Sequence, residues 1–142
     1  MSILETRSVT KRFGGLSAVD NVSIQIPEGS IYSIIGPNGA GKTTLFNCIT
    51  GFYPADQGDM LFMGKSLLGL TPDRITKRGL SRTYQNIRLF PAMTALENIL
   101  VGAHPRLKSN WLDAILHTPR QRAEEMEALQ KAQDLLNFAG LK

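Results

Sequence analysis

The clearest pattern is a run of apolar, β-favouring residues, Ile31 to Ile35, that ends in glycines and is followed by apolar positions at helical spacing, Leu45, Phe46 and Ile49. Such a run predicts a strand, then a turn, then a helix. Upstream, residues 3 to 9 alternate loosely and read as a strand, and Val22 to Ile26 alternates cleanly, as a half-buried antiparallel strand does. Residues 10 to 15 between them read as a turn, and Pro27-Glu28-Gly29 as another. Downstream, Gly51 and the cluster from Pro54 to Gly58 mark a loop. Asp59 to Met63 follows as a short strand, with a turn at Gly64-Lys65. Thr71 and Pro72 predict the N-cap and first position of a helix that Gly79 stops. Leu80 to Tyr84 reads as a further strand with Gln85 just past its end, where open parallel sheets hold functional groups.

The last third reads as helical. Thr94-x-x-Glu97 is a capping box that opens a helix to about Val101, and Trp111 to His117 is a short apolar segment. Thr118-Pro119 with Gln121 repeats the capping signature for the longest helix. Met126, Leu129, Leu136 and Ala139 are the expected apolar face of that helix, with Gly140 as its stop.

Composition adds bounds. The chain has 142 residues, 42% of them apolar and 20% charged, which is ordinary for one soluble domain. It has no apolar run long enough to span a membrane and no signal-peptide pattern at its start. A single cysteine, Cys48, excludes an internal disulfide and fits a small apolar filler of the first helix. The net charge of +4 permits nucleic-acid or headgroup contact without requiring it.

The chemistry is concentrated at Gly36-Pro-Asn-Gly-Ala-Gly-Lys-Thr-Thr44, a Gly-x-x-x-x-Gly-Lys-Thr loop between the expected strand and helix. The bare pattern arises by accident in about one chain in a hundred of this length, and the strand–helix context makes accident rarer. Glycines let the main chain approach a ligand, and helix-start amides form a nest for phosphate oxygens. Lys42 is placed to reach the β- and γ-phosphates, and the Thr43 hydroxyl to ligate Mg²⁺. Phe13 has two readings from spacing: core at a sheet edge, which its area favours, or an exposed ring that stacks on a flat ligand.

This loop, with Phe13 about two dozen residues upstream and Gln85 in Arg-Thr-Tyr-Gln-Asn, resembles ATP-binding-cassette (ABC) ATPases. More narrowly, Arg12-Phe-Gly-Gly-Leu, Thr44-Leu-Phe-Asn, Thr50-Gly-Phe-Tyr and Gln85-Asn-Ile-Arg-Leu-Phe are similar to the ATP-binding subunits of branched-chain amino-acid importers, in their LivG-like branch. The resemblance covers essentially the whole chain and implies an α/β P-loop NTPase fold. It implies an antiparallel β subdomain, a partial parallel core sheet and the start of a helical subdomain, divided as 1–84 and 85–142. Phe13 is then expected to stack on adenine, and Asn38, Gly39, Ala40, Gly41, Lys42, Thr43 and Thr44 to hold ATP. Thr43 and Gln85 are expected to coordinate Mg²⁺, and Lys42 and Gln85 to serve catalysis. Residues 86 to about 104, with Leu89, Phe90 and Met93 as apolar candidates, are expected to grip a membrane permease subunit. A second ATP-binding subunit is the other implied partner, and the inner face of the plasma membrane the implied location.

The family's Leu-Ser-Gly-Gly-Gln signature is absent, as is its strand of four apolar residues ending in Asp-Glu. Glu124-Glu125 follows no apolar strand, and neither His104 nor His117 has the setting of the switch histidine. The chain therefore reads as the N-terminal part of a longer protein, expected to bind Mg-ATP without turning it over. Two other classes remain. One is a non-transport ABC ATPase acting on nucleic acid through Arg74, Lys77, Arg78, Arg82 and Arg88, although no nucleic-acid partner is expected. The other is a non-catalytic nucleotide-binding fragment. A P-loop kinase or GTPase is disfavoured, because no Asn-Lys-x-Asp guanine-reading motif is present.

Overall fold

The computed structural model describes residues 2–84, 88–103 and 119–141, which fall into two compact units, Met1–Thr83 and Tyr84–Lys142. The first is built on a four-stranded antiparallel sheet in the order β2-β1-β3-β4. Its strands are β1 (Ser2–Phe13), β2 (Leu16–Pro27), β3 (Gln57–Phe62) and β4 (Lys65–Ser66). The alternating Val22–Ile26 stretch does lie half-buried within β2. β1 runs on through residues 10 to 13, which the sequence reading assigned to a turn. The reversal is confined to Gly14-Gly15, with Phe13 paired to Leu16.

The β1–β2 ladder is irregular. Its partners shift between Thr6 and Val9, between Val9 and Lys11, and between Lys11 and Arg12. Two buried threonines satisfy the backbone where these bulges break the ladder. Thr6 Oγ1 donates to the Val22 carbonyl (3.1 Å) and accepts from Ile24 N (3.0 Å), while Thr10 Oγ1 accepts from Asn21 N (3.0 Å).

One face of the sheet carries Val9, Val19, Met60 and Phe62. Helix α1 (Lys42–Ile49) covers it with Leu45, Cys48 and Ile49, and Leu67 and Ile75 complete the core. Cys48 fills the place expected of it, at 1% exposure, and burial pushes its thiol pKa up. Phe46 does not join this core. It lies under the Arg82 guanidinium, 5.7 Å from the ring centroid. Thr50 caps α1 by donating to the Phe46 carbonyl (2.7 Å), and Gly51 follows at φ +78°. Helix α2 (Pro72–Lys77) begins at the expected Thr71-Pro72 pair, yet the Thr71 hydroxyl donates to the Asp73 carboxylate (2.5 Å) and caps no amide.

Two expected strands are absent. Ile31 to Ile35 and Leu80 to Tyr84 carry no strand pairing, and all sheet pairing among the described residues is antiparallel. Ile31 is 100% and Ile35 93% exposed. Apolar β-branched residues form a parallel strand only when neighbours supply hydrogen bonds on its edges and cover on its faces. Among the described residues no strand does so.

In the second unit, helix α3 (Ala95–Ala103) starts at the expected capping box. Thr94 N donates to Glu97 Oε2 (2.7 Å), and Glu97 N donates to Thr94 Oγ1 (3.2 Å). Helix α4 (Pro119–Phe138) packs on α3 and ends at Gly140 as expected, with Leu141 N donating to the Leu136 carbonyl (3.0 Å). Its expected apolar face is wrong at three of four positions. Met126 is 72% exposed, Leu129 and Ala139 are exposed as well, and the covered row is Gln121, Glu124, Ala128, Ala132 and Leu136. Two small alanines at i, i+4 let a neighbour approach where the larger side chains would hold it off. Thr118 and the Trp111–His117 segment lie outside the described residues.

Candidate functional site

The loop from Gly36 to Thr44 leads directly into α1. Gly39 (φ +86°) and Gly41 (φ +82°) are left-handed, and Gly41 is the N-cap of the helix. Within the loop Ala40 N donates to the Pro37 carbonyl (3.3 Å). Among the described residues, the amides of Gly39, Gly41, Lys42, Thr43 and Thr44 find no acceptor. Five amides without partners at a helix start form a cradle for an anion with several oxygens. The Lys42 ammonium lies across the same loop and donates to the carbonyls of Gly36 (2.5 Å) and Pro37 (2.6 Å).

Opposite stands the end of the β1–β2 hairpin. Phe13, Leu16, Ser17 and Ala18 form one wall of a cleft of about 350 Å³, and residues 38–44 form the other. The hairpin and the loop touch through Gly41, whose position leaves no room for a Cβ. That atom would lie 2.0 Å from the Ala18 carbonyl oxygen.

Phe13 is 44% exposed at the cleft, so the core reading that spacing favoured does not hold. Its ring meets Tyr53 edge to face at 5.2 Å, with Lys11 Nζ 5.4 Å from its centroid. Thr43 is exposed on the first turn of α1. Gln85 lies outside the described residues. Among the described residues no three His, Cys, Asp or Glu side chains cluster to hold a metal. A cation here would depend on Thr43, water and ligand oxygens, the coordination Mg²⁺ accepts.

The structure therefore gathers Phe13 and residues 38–44 around one cleft. Sequence reasoning missed Leu16, Ser17 and Ala18 as its wall and Tyr53 as the neighbour of Phe13. Only the hairpin's register places those residues, and no local motif marks them. Two of the five cations proposed for nucleic acid are engaged within the first unit. Arg82 donates to Asn47 Oδ1 (2.6 Å), and Arg78 to the Ser66 carbonyl (2.7 Å).

A glycine-rich loop that opens a helix beside an antiparallel sheet defines a phosphate-binding nucleotide cassette. Residues 19–141 match the ABC transporter family, and the chain belongs to it. It is 46% identical over 98% of its length to the high-affinity branched-chain amino acid transport ATP-binding protein BraF of Pseudomonas aeruginosa. It is 45% identical over the same share to LivG of Escherichia coli K12, and it spans 54% of the length of each relative. Among solved structures it is similar to a nucleotide-free ATP-binding cassette from an ABC transporter. That match has a TM-score of 0.75 and 38% identity, and covers 99% of this chain and 55% of the other. A dimeric cassette in a post-hydrolysis state with ADP and Pi matches at a TM-score of 0.72 and 26% identity, covering 98% of this chain and 58% of the other.

Proposed function

We propose that the chain forms the nucleotide-binding part of the ATP-binding subunit of a branched-chain amino-acid importer. The observation that carries this is the cleft in which Phe13 faces the glycine loop across the hairpin end. The base would lie on Phe13, the phosphates on the amides of residues 39–44, and the Lys42 charge on the terminal phosphates. Lys42 would leave the Gly36 and Pro37 carbonyls to do so. Thr43 and Gln85 would hold Mg²⁺, which neutralises phosphate charge when bound. The likeness to BraF and LivG supports the amino-acid substrate class.

In the whole transporter, the segment of about 86–104 would meet a permease at the inner face of the membrane, and a second ATP-binding subunit would close over the nucleotide. Two observations fit this. No described helix is long and apolar enough to cross a membrane. Leu89, Phe90 and Met93 are exposed, on a loop that Asn98 holds through the Phe90, Met93 and Thr94 carbonyls. Coexpression with its permease subunits tests the reading. Copurification that Leu89→Asp weakens is expected. Salt-sensitive DNA binding without copurification would contradict it and favour the nucleic-acid alternative.

A further inference from the structure

Phe13 stands at the last position of β1, paired on one side only, with Leu16 of β2. On the β2 side the ladder slips between Lys11 and Arg12. On the β3 side pairing ends at Thr10, opposite Gln57. Beyond that point the loop after α1 takes over the missing strand's work. Asp56 N donates to the Thr10 carbonyl (2.9 Å), and Asp56 Oδ2 accepts from Arg12 N (2.6 Å). Its other oxygen accepts from Lys11 Nζ (2.8 Å). That ammonium is nearly buried, and it faces the Phe13 ring. Tyr53, three residues earlier in the same loop, sets its ring edge to face against Phe13, with centroids 5.2 Å apart.

We infer that Asp56 is a positioning residue for the nucleotide base: through Lys11 and Arg12 N it fixes the strand end that holds Phe13 at the cleft. This rests on the reading that Phe13 meets the base. Neither hydrogen-bond partner of the carboxylate, Lys11 or Arg12, lines the cleft, so its effect is expected on the base half of the ligand alone. The polyphosphate half depends on amides of a different segment, residues 39–44.

Calorimetric titration of the 142-residue chain with Mg-ATP and with Mg-tripolyphosphate tests the assignment. Asp56→Asn is expected to weaken ATP about 3- to 10-fold while tripolyphosphate stays within about two-fold of wild type. Phe13→Leu alone is expected to weaken ATP by roughly 5- to 100-fold, the range for loss of a base–aromatic stack. In the Phe13→Leu background the Asp56→Asn effect should vanish. Equal weakening of both ligands by Asp56→Asn, no change in ATP, or an effect that persists without the Phe13 ring would overturn the inference. If Asp56→Asn does not fold, Tyr53→Leu probes the same ring through its edge-to-face contact, with the same expectations and the same contrary results. A wild-type chain that binds neither ligand, or ATP no tighter than tripolyphosphate, would instead defeat the underlying reading of the cleft.

Discussion

Gly41 lies against Ala18 so closely that a methyl group on Gly41 would sit 2.0 Å from the Ala18 carbonyl oxygen. The contact locks the phosphate loop to the β1–β2 hairpin, across 23 residues of sequence. It also separates two glycines that look alike in the motif. Gly39 and Gly41 share a left-handed φ, yet a Cβ on Gly39 would meet nothing within 4 Å. Gly39→Ala should therefore carry conformational strain alone, about 1–2 kcal/mol, or a fall of about 3–8 °C in melting temperature. Gly41→Ala adds a collision between backbone and side chain, and should cost at least about twice as much. Thermal melts of both variants check this, and equal shifts would contradict it.

Among the described residues the Lys42 side chain bonds only to exposed loop carbonyls. Lys42→Ala should change nucleotide-free stability by no more than about 1 kcal/mol. It should weaken Mg-ATP binding by roughly 10- to 100-fold, through loss of a charged donor to phosphate. Melting curves and titration together separate the two effects. A stability loss as large as the binding loss would assign the lysine a structural role.

Legibility in the sequence follows the range of the forces involved. The capping box at Thr94 and Glu97, the Gly140 stop, the glycine turn into α1 and the Thr71-Pro72 helix start are local, set by residues within one turn of each other. They were readable. The strand at Ile31 to Ile35 was not, because strand formation depends on partners elsewhere in the chain, and no described segment pairs with it. The face of α4 was misread because burial there follows the small Ala128 and Ala132, while Met126 and Leu129 point outward. For Phe13, spacing and area alone favour the core, and only the family resemblance points to an exposed ring. Its exposure is set by the hairpin register and by Tyr53, neither of which spacing reveals.

The Glu97 carboxylate is held below its ordinary pKa by the Thr94 amide and hydroxyl. A depressed carboxylate stabilises the folded form above its unfolded pKa, near 4.3, and loses that effect as pH falls through the lower folded value. Helix α3 should therefore loosen in acid below about pH 4.3, and Glu97→Gln should flatten that part of the profile. Thr94→Ala should cost about 1 kcal/mol at neutral pH. Chemical denaturation followed by circular dichroism from pH 3 to 7 reads both effects. An unaltered acid limb in Glu97→Gln would contradict the assignment.

The 142-residue chain should release no phosphate from Mg-ATP above background, since it has no acidic strand end to polarise water. Steady-state release by the pure chain that Lys42→Ala abolishes would show the opposite.

The unpaired amides at the head of α1 are expected to receive a polyphosphate. An amide NMR titration with Mg-ATP observes them one by one. The resonances of Gly39 and Gly41 to Thr44 should shift progressively and saturate, while those of Asp59 to Phe62 stay in place. If ATP leaves the loop amides where they were, or moves them no more than the distant strand, the phosphate cradle described here is not the binding site.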